Sequence, residues 1–533
     1  MKMHASRRSR RVVARAEVTA LSPTRCARPP TSVGKPAEHA PQPRRRRTLG
    51  LALAVATAFA GLVIVAPSAG ANAEPGQAAQ LRHAALSGPS IEIDAGYPYY
   101  KDRSAASIAD EIAQNGYKSV HYFVTNEHGV DGDLVTALHK RGIAVWALTL
   151  AFGSYDIGAY PAQWPTWQQK LLSASMEGFY SFSPWSAGYL EFKKQSLAEL
   201  VHTYQFDGVE LAESFLPDMN GFTSGFYGDV GPLAAAAFQA KYGLAMPNFT
   251  DPSSALYFKT DTDRYAKWVQ FRVDGVNSFL GDLVNGKGGL RQARHNLLIG
   301  SWSLAVDAGP DSVQQEREMQ GIDAPAMIAA VKPDIHYIQT NWPDWIKPDL
   351  KPNYIDAYRP FIADIRKHNT SVPLGIQADI GSTIPTARNR AWLDQFSREA
   401  SRIGFATWTG YEYSLGGYMY DEAPSVVTVD CSRPAKTVVL HFQKRIDVAS
   451  AKIPESFVVE AAGKSSIVDP AAVDVDGNMV TLHLGDLPSR PFAVAVSHVS
   501  DTPSLWLFNQ TMTPHTVQPG YSVTASCRAG AGL

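Results

Sequence analysis

The chain has 533 residues, too many for one ordinary domain, and this length predicts two folded units behind an N-terminal extension. Hydrophobic residues make up 45% of it, a share typical of globular proteins. The formal charge of −1 hides an uneven distribution, because residues 1–73 carry 13 Lys and Arg against 2 Asp and Glu, which leaves 36 against 48, or −12, for the rest. An acidic body argues against nucleic acid as a partner, since phosphate binding needs a basic face.

The N-terminal segment has the pattern of an export signal. Arg44–Arg47 precede an apolar run, 49–65, and small residues then end at Ala71-Asn72-Ala73. This order predicts a signal peptide with a basic extension over 1–73, cleavage near Ala73, and a secreted protein without stable membrane insertion after cleavage. A membrane anchor is the alternative, but the run is short for a span. The arginine run allows either the general or the twin-arginine export route.

The cysteine positions agree with export. Cys26 leaves with the signal, so Cys431 and Cys527 are the two that remain. They bracket the C-terminal region and predict one disulfide that closes a small domain. Two cysteines are too few ligands for a metal site, and we expect neither a metal nor a cofactor.

After a linker, 74–89, the segment 90–422 alternates strand-like and helix-like stretches. The predicted strands are 91–94, 119–126, 143–152, a strand entered at Phe206, 296–306, 334–340, 372–379 and 405–408. The predicted helices are 104–115, 131–141, 189–204, 261–284, 324–331, 354–368 and 387–403. Eight strands, each but the last followed by a helix, predict an α/β fold of the (β/α)8 TIM-barrel type with a long excursion at 214–257. A doubly wound sheet is the alternative, but no Gly-rich phosphate loop follows an early strand.

The region 423–528 changes to short β-type runs separated by Asp, Gly, Pro and Ser. The runs are 426–429, 437–442, 457–461, 479–484 and 492–497. This spacing without a helical period predicts a small all-β sandwich. The stretch Lys444-Arg445-Ile446-Asp447, followed by Ala451, Pro454 and Phe457, resembles the bacterial Ig-like modules of secreted enzymes.

Active sites of TIM barrels lie at the carboxyl ends of the strands, and the residues predicted there share a chemistry of carboxylates, amides and aromatic rings. They are Asp94, Tyr97, Asn126, Glu210, Glu213, Trp302, Gln339, Asn341, Trp342, Gln377, Asp379, Trp408 and Glu412. Two carboxylates cleave a glycosidic bond, amides hold sugar hydroxyls and indoles stack on sugar rings. His121 and His336 lie within strands and are interpreted as core histidines.

The segment Phe206-Asp207-Gly208-Val209-Glu210-Leu211-Ala212-Glu213-Ser214-Phe215-Leu216-Pro217 resembles the strand-and-acidic-pair segment of the glycosyl-hydrolase-like family 10 barrels. The resemblance implies a carbohydrate-active enzyme. Here Ala212 stands at the first acidic position, and Glu213 is the matching carboxylate.

We therefore predict a secreted glycosidase in which Glu213 acts with Glu412 or Asp379. Glu412, flanked by tyrosines, is expected to be desolvated, which would raise its pKa as an acid catalyst requires. Glu210 is predicted to bind substrate; the alternatives are that it orients a neighbour or pairs with a cation inside the barrel, or that it is itself a catalytic group. Asp94, Tyr97, Asn126, Gln339, Asn341, Gln377 and the three tryptophans Trp302, Trp342 and Trp408 are predicted to bind the sugar.

Two other functional classes stay open. A carbohydrate-binding or cell-surface protein on a degenerate barrel is favoured by Ala212. A barrel lyase or isomerase would need a metal or phosphate site, which the sequence does not show.

Overall fold

The computed structural model describes residues 75–173, 178–218, 221–307, 309–369, 371–381 and 384–527. The predicted export signal, 1–73, lies outside these residues. Within the described ranges, no helix is both long and apolar enough to cross a bilayer.

Eight parallel strands form a TIM barrel, as the sequence predicts. They are β1 Ser90–Ile93, β2 Ser119–Phe123, β3 Ala144–Leu150, β4 Gly208–Ala212, β5 Leu298–Leu304, β6 Ile335–Gln339, β7 Leu374–Asp379 and β8 Thr407–Tyr411. The hydrogen-bonded ladder joins them in chain order. The first and last strands lie side by side and close the barrel.

Alternate side chains of each strand face the barrel interior and the surrounding helices, because side chains alternate along a strand. On β3, Trp146 and Leu148 belong to the interior cluster, whereas Val145 and Ala147 pack in the core shared with the helices. Trp302 and Tyr337 stack inside the barrel with ring centroids 4.8 Å apart. The interior is therefore a packed core, and substrate access is left to the carboxyl ends of the strands.

The segment 74–89, which the sequence analysis interprets as a linker, contains a helix, α1 Pro75–Ser87. Leu81 and Ala85 of α1 are buried against the interior cluster, and the Trp146 indole N–H donates to the Ala85 carbonyl at 3.2 Å. The linker prediction is wrong for this stretch, because the apolar side chains of α1 cover the amino end of the barrel.

The remaining helices surround the barrel. They are α2 Ala105–Gln114, α3 Gly132–Lys140, α4 Ala187–Thr203, α5 Pro232–Tyr242, α6 Thr262–Asn285, α7 Ser312–Gln320, α8 Ala324–Val331, α9 Arg359–His368 and α10 Arg390–Ile403, with short turns of helix at Leu290–Ala293, Trp342–Trp345 and Gly417–Asp421. Side-chain N-caps begin several of them: Ser104, Asp131 and Ser186 each accept a backbone N–H three residues on.

Three helical segments differ from the sequence expectation. The excursion 214–257 contains α5, and α7 lies where no helix is predicted. The helix expected at 354–368 begins at Arg359, after a 3-10 segment, Pro352–Tyr358. Pro360 stands in the first turn of α9, where its missing N–H costs no hydrogen bond and its fixed φ suits the helix start.

The C-terminal region is a sandwich of two antiparallel sheets. Its strands are β9 Val426–Ser432, β10 Thr437–Phe442, β11 Phe457–Ala461, β12 Lys464–Ile467, β13 Val473–Asp476, β14 Met479–His483, β15 Phe492–Val496 and β16 Ser522–Ala525, with a helical turn at Val448–Ala451. The sheet orders are β9-β10-β14-β13 and β12-β11-β15-β16. Leu440 and Val480 of one sheet share a core with Phe457 and Val494 of the other. The predicted Cys431–Cys527 disulfide is present.

Candidate active site

Glu213 follows β4 directly and lies at the carboxyl end of the barrel. Its backbone has φ 47°, a left-handed conformation that costs a non-glycine residue about 1–2 kcal/mol. The side chain is partly exposed, and no hydrogen bond or ion pair to it is found among the described residues. Removal from water raises the pKa of its carboxyl to about 7. Backbone strain, together with a carboxyl that has no partner among the described residues, favours a functional position.

The backbone on both sides of Glu213 is fixed. The Ala151 N–H donates to the Ala212 carbonyl at 3.0 Å, which ties the end of β4 to the segment after β3. The Ser214 hydroxyl donates to the Leu211 carbonyl at 2.6 Å, and the Leu216 N–H donates to the Gln320 carbonyl at 2.9 Å. The strained residue is thus held between two anchored segments, which fixes where its carboxyl points.

Asp379 is the last residue of β7 and is 2% exposed. Its Oδ1 accepts the Gly381 N–H at 2.8 Å, and it lies in register with Tyr411 of β8. Two residues earlier on the same inward face, the Gln377 amide nitrogen donates to Glu92 Oε1 of β1 at 2.7 Å. Gln377, which is predicted to bind substrate, is therefore buried and links β7 to β1. This hydrogen bond supports the position of Asp379.

Glu412 follows β8 and is fully buried. Its Oε1 accepts the Tyr100 hydroxyl at 2.5 Å and the Ser414 N–H at 2.8 Å, and its Oε2 accepts the Asp94 N–H at 2.5 Å. Burial raises the pKa of Glu412 to about 7, against the opposing effect of these three donors. The expected desolvation is present, but a carboxylate surrounded by protein donors argues against the predicted direct catalytic role. The catalytic role of Glu412 stays a prediction, and its three donors favour a positioning role instead.

Several predicted sugar ligands lie on the rim. Asp94 is partly exposed, and its Oδ1 accepts the Gly96 N–H at 2.8 Å. The Tyr97 and Tyr411 hydroxyls are 3.1 Å apart, and the Asn126 amide nitrogen donates to Asp156 at 2.8 Å. The partly exposed Gln339 and Asn341 lie at and just beyond the end of β6. Their contacts with sugar stay predictions, as does that of Trp342, whose side chain lies outside the described part of the structure.

Three predicted substrate contacts are wrong, because the side chains are in the core. Glu210 and Trp302 are 0% and 1% exposed inside the barrel. Trp408 packs on the helix side against Phe396 of α10, with ring centroids 5.8 Å apart. Glu210 pairs with a histidine, since its Oε2 lies 2.6 Å from His121 Nδ1.

Both strand histidines are core residues, as predicted. His121 and His336 are completely buried. The hydroxyl groups of Ser301 and Ser303 lie 2.8 and 3.0 Å from the two ring nitrogens of His336, and burial lowers its pKa to about 3. No cluster of three or more metal-binding side chains occurs in the part of the chain that the structure describes.

Glu92 is an interior carboxyl that the sequence analysis missed. Burial raises its pKa well above the ordinary value, the bond from Gln377 opposes this, and the charges of Glu210, Glu412 and Asp379 add to it. A neutral Glu92 carboxyl avoids a further negative charge beside these three carboxyls in a dry interior. The sequence pattern indicates this position, because apolar and charged residues alternate in Ile91-Glu92-Ile93-Asp94. Glu92 and Asp94 therefore lie on the same face of the strand.

Glu316 is a second missed carboxyl, on the inward stripe of α7 formed with Ser312 and Gln320. It is 2% exposed, and neither oxygen makes a hydrogen bond within the described residues. Burial raises its pKa well above the ordinary value. No helix is predicted over 312–320, so no buried helix face is predicted on which Glu316 could be placed.

We expect Glu316→Met to stabilise the protein at neutral pH by about 1–3 kcal/mol, the cost of an unsatisfied buried polar group. Because the folded-state pKa is raised, the wild type loses stability as pH rises from the unfolded pKa towards the folded one. The gain should therefore shrink below about pH 4, where the carboxyl is protonated in both states. Urea denaturation at pH 4 and pH 7 measures this, and an equal or absent gain at the two pH values would refute the burial of an unpaired carboxyl.

No protein-family model and no curated protein matches the chain. Among solved structures, the catalytic domain of a β-amylase from Paenibacillus polymyxa is 12% identical, with a TM-score of 0.42 over 62% of this chain and 93% of that one. A β-galactosidase from Marinomonas ef1 is 14% identical, with a TM-score of 0.43 over 61% of this chain and 54% of that one. An endo-β-1,4-mannanase from Thermotoga petrophila is 10% identical, with a TM-score of 0.33 over 83% and 98%.

Proposed function

We propose that this protein is a glycoside hydrolase that cleaves O-glycosidic bonds of a polysaccharide or oligosaccharide. One observation carries the proposal: Glu213, at the carboxyl end of β4, combines a strained backbone with an unpaired carboxyl whose pKa is raised to about 7. Glycosidic cleavage needs such a group, because the acid that protonates the leaving oxygen must still hold its proton near neutral pH. The resemblance of 206–217 to glycosyl-hydrolase-like family 10 barrels supports the same reading.

In the proposed mechanism, Glu213 is the general acid and Asp379 is the second carboxylate. Glu213 gives its proton to the glycosidic oxygen as the bond from that oxygen to the anomeric carbon breaks. Asp379 bonds to the anomeric carbon directly or takes a proton from the water that does so. In the direct case, water later cleaves the glycosyl–enzyme bond and Glu213 takes up its proton. The anomer released first distinguishes the retaining course from the inverting one.

Asp379 is proposed as the partner of Glu213 because of its place in the barrel: it is the last residue of β7, at the carboxyl end where active sites of this fold lie. Glu412 accepts three hydrogen bonds from Tyr100, Ser414 and Asp94, which hold both of its oxygens, and it is proposed in a positioning role. Rim residues with amide or carboxylate groups, Asp94, Asn126, Gln339 and Asn341, are proposed to bind sugar hydroxyls.

Export is part of the proposal. The basic residues, apolar run and Ala71-Asn72-Ala73 site support a cleaved signal, and the Cys431–Cys527 disulfide suits an oxidising compartment. The Ig-like classification of the sandwich rests on the resemblance around Lys444–Asp447.

The proposal is tested by incubating the purified protein with a panel of polysaccharides and oligosaccharides and measuring new reducing ends. Release of products by the wild type supports a hydrolase. Retention on a polysaccharide without products, over the whole panel, would replace the hydrolase with a carbohydrate-binding protein, the class that Ala212 favours.

The pH profile provides a further prediction. As a general acid, Glu213 works in its protonated form, so kcat/KM should fall as pH rises through about 7, the pKa of its carboxyl. Glu412 has a pKa of about 7 as well, and it is distinguished by Tyr100→Phe, which removes a donor from Glu412 only. We expect the alkaline limb to stay in place in Tyr100→Phe. A limb that moves with this substitution would assign the titration to Glu412.

A further inference from the structure

The barrel has a seam where β1 meets β8, and side chains cross it. The Ser90 hydroxyl donates to the Trp408 carbonyl at 2.7 Å, and the Thr407 hydroxyl donates to the Gly88 carbonyl at 2.6 Å. At the mouth, Glu412 accepts the Asp94 N–H at 2.5 Å. The position of the two mouth carboxyls Asp94 and Glu412 therefore depends on how the seam is held.

The loop 94–104 after β1 reinforces the seam at the mouth. Tyr100 of this loop reaches across to Glu412, and the neighbouring Tyr99 hydroxyl donates to Glu111 of α2 at 2.6 Å. Tyr99 and Tyr100 are 2% and 4% exposed, so their rings are fixed by packing as well as by hydrogen bonds. Whatever holds this loop also holds the Tyr100–Glu412 contact.

The C-terminal sandwich holds the loop. Arg445, which follows β10, donates from Nη1 to the Tyr99 and Lys101 carbonyls, both at 2.7 Å. The Arg445 backbone N–H also donates to the Tyr99 hydroxyl at 3.0 Å. One guanidinium thus binds two carbonyl groups of the loop that lie two residues apart, and its planar set of donors suits such contacts.

The sandwich also contacts α2 through buried charged and polar side chains. Arg103 pairs with Glu111 at 2.6 Å and donates to the Asn478 side chain at 3.0 Å. Asp110 of α2 accepts from Asn478 at 2.9 Å and lies 2.9 Å from His441 Nδ1. Buried charges that share partners across two elements are costly to separate, so α2 and the sandwich form one structural unit.

The β8 side of the seam is attached to the same sandwich segment. The hydroxyl oxygen of Tyr413, just after Glu412, lies 3.0 Å from Glu111 Oε1 and 3.3 Å from the Gln443 carbonyl oxygen, two acceptors for its single proton. Lys444 donates to the Met419 carbonyl at 3.2 Å and pairs with Asp501 at 2.9 Å. Residues 443–445 therefore contact the chain on both sides of the seam.

We propose that the C-terminal sandwich is a brace across the seam of the barrel, and that Arg445 is a positioning residue that sets Tyr100 and Glu412 at the mouth. The sandwich is then a component of the site and not an independent appended module. Its effect on catalysis rests on the proposed hydrolase function, whereas its effect on the loop does not.

The test compares Arg445→Ala with Arg433→Ala, a matched control within the sandwich whose guanidinium donates to the Pro488 carbonyl at 2.7 Å. Hydrogen exchange is followed by mass spectrometry in peptides that cover 94–101. We expect exchange there to quicken by roughly tenfold or more in Arg445→Ala and to stay unchanged in Arg433→Ala, because only the first frees the loop. Arg445→Lys, which keeps one donor group, should restore part of the protection.

Activity provides the second arm. On a substrate that the wild type cleaves, Arg445→Ala should lower kcat/KM, since the freed loop carries the predicted sugar ligands Asp94 and Tyr97 as well as the Tyr100 contact to Glu412. Equal exchange and equal kcat/KM in the two arginine variants would overturn the brace. If Arg445→Ala does not fold, Tyr100→Phe replaces it, with faster exchange at the Asp94 amide expected and unchanged exchange contradicting the proposal. A wild type inactive on every glycan would refute the proposed function and leave the exchange result to decide the brace.

Discussion

Glu213→Gln is expected to lower kcat/KM for glycan hydrolysis by roughly 10²–10⁴-fold, the contribution typical of a general acid. Glutamine keeps the length and shape of the side chain but has no proton to give to the leaving oxygen. Because no described residue bonds to the Glu213 carboxyl, the substitution breaks no contact, and thermal unfolding should be unchanged. Activity is measured as reducing-end release at pH 6, where the wild-type carboxyl is mostly protonated.

The matched control is Glu199→Gln, the same chemical change on α4 at a side chain that is 66% exposed. It should leave turnover and unfolding at wild-type values. A Glu213→Gln protein that retains turnover close to that of Glu199→Gln would remove Glu213 from the mechanism. Loss of turnover together with loss of the unfolding transition would instead mean that Glu213 holds the barrel together, a result that its lack of partners does not lead us to expect.

The barrel and sandwich could be predicted from the sequence because their signals are local. Alternating apolar strands and capped helices recur along residues 90–422, and short β runs bounded by turn residues follow. The helix α1 is not predicted from the sequence, and the reason is physical. Its apolar residues Leu81 and Ala85 are buried only after the barrel has formed, because they pack against its interior cluster. Tertiary burial, and not local pattern, stabilises that helix.

The site was predictable only in part, because a shift of one residue moves a side chain to the other face of a strand. The last strand was expected to end at Trp408, but β8 spans Thr407–Tyr411, so Trp408 lies within it and faces α10. Trp302 likewise lies two residues before the end of β5 and faces the interior. Glu213 was identified because its motif fixes its place relative to β4.

The roles of Glu412 and Arg445 could not be read from the sequence, since their partners are distant along the chain. Glu412 meets Tyr100 over 312 residues, and Arg445 meets Tyr99 over 346. No spacing rule links such residues, and only the closed barrel brings them together.

Glu210→Leu is expected to destabilise the protein by about 3–5 kcal/mol, because it leaves the buried His121 ring without its partner in the pair. Both side chains are 0% exposed, and Glu210 Oε2 lies 2.6 Å from His121 Nδ1. Urea denaturation followed by circular dichroism measures the loss. Glu199→Leu, at an exposed helical position, is the control and should change stability by no more than about 0.5 kcal/mol.

The double variant His121→Leu/Glu210→Leu separates a lost pair from a lost side chain. If the two residues stabilise each other, the double variant should be less destabilised than the sum of the single variants, by about 0.5–3 kcal/mol. If the losses in unfolding free energy of the two single variants simply add in the double variant, the pairing does not stabilise the protein. A Glu210→Leu protein as stable as Glu199→Leu but unable to bind sugar would restore the substrate role that the sequence suggested.

The Glu210–His121 pair also affects Glu92, another buried carboxyl of the barrel interior. Glu210 is among the charges that raise the pKa of Glu92, so its removal should bring that pKa closer to the ordinary value. Glu92 accepts the hydrogen bond from Gln377, two residues before Asp379. An ionised Glu92 would strengthen that bond while placing a negative charge nearer to Asp379. Glu210→Leu should therefore alter the acidic limb of the pH profile as well as stability, whereas a purely structural pair would leave that limb in place.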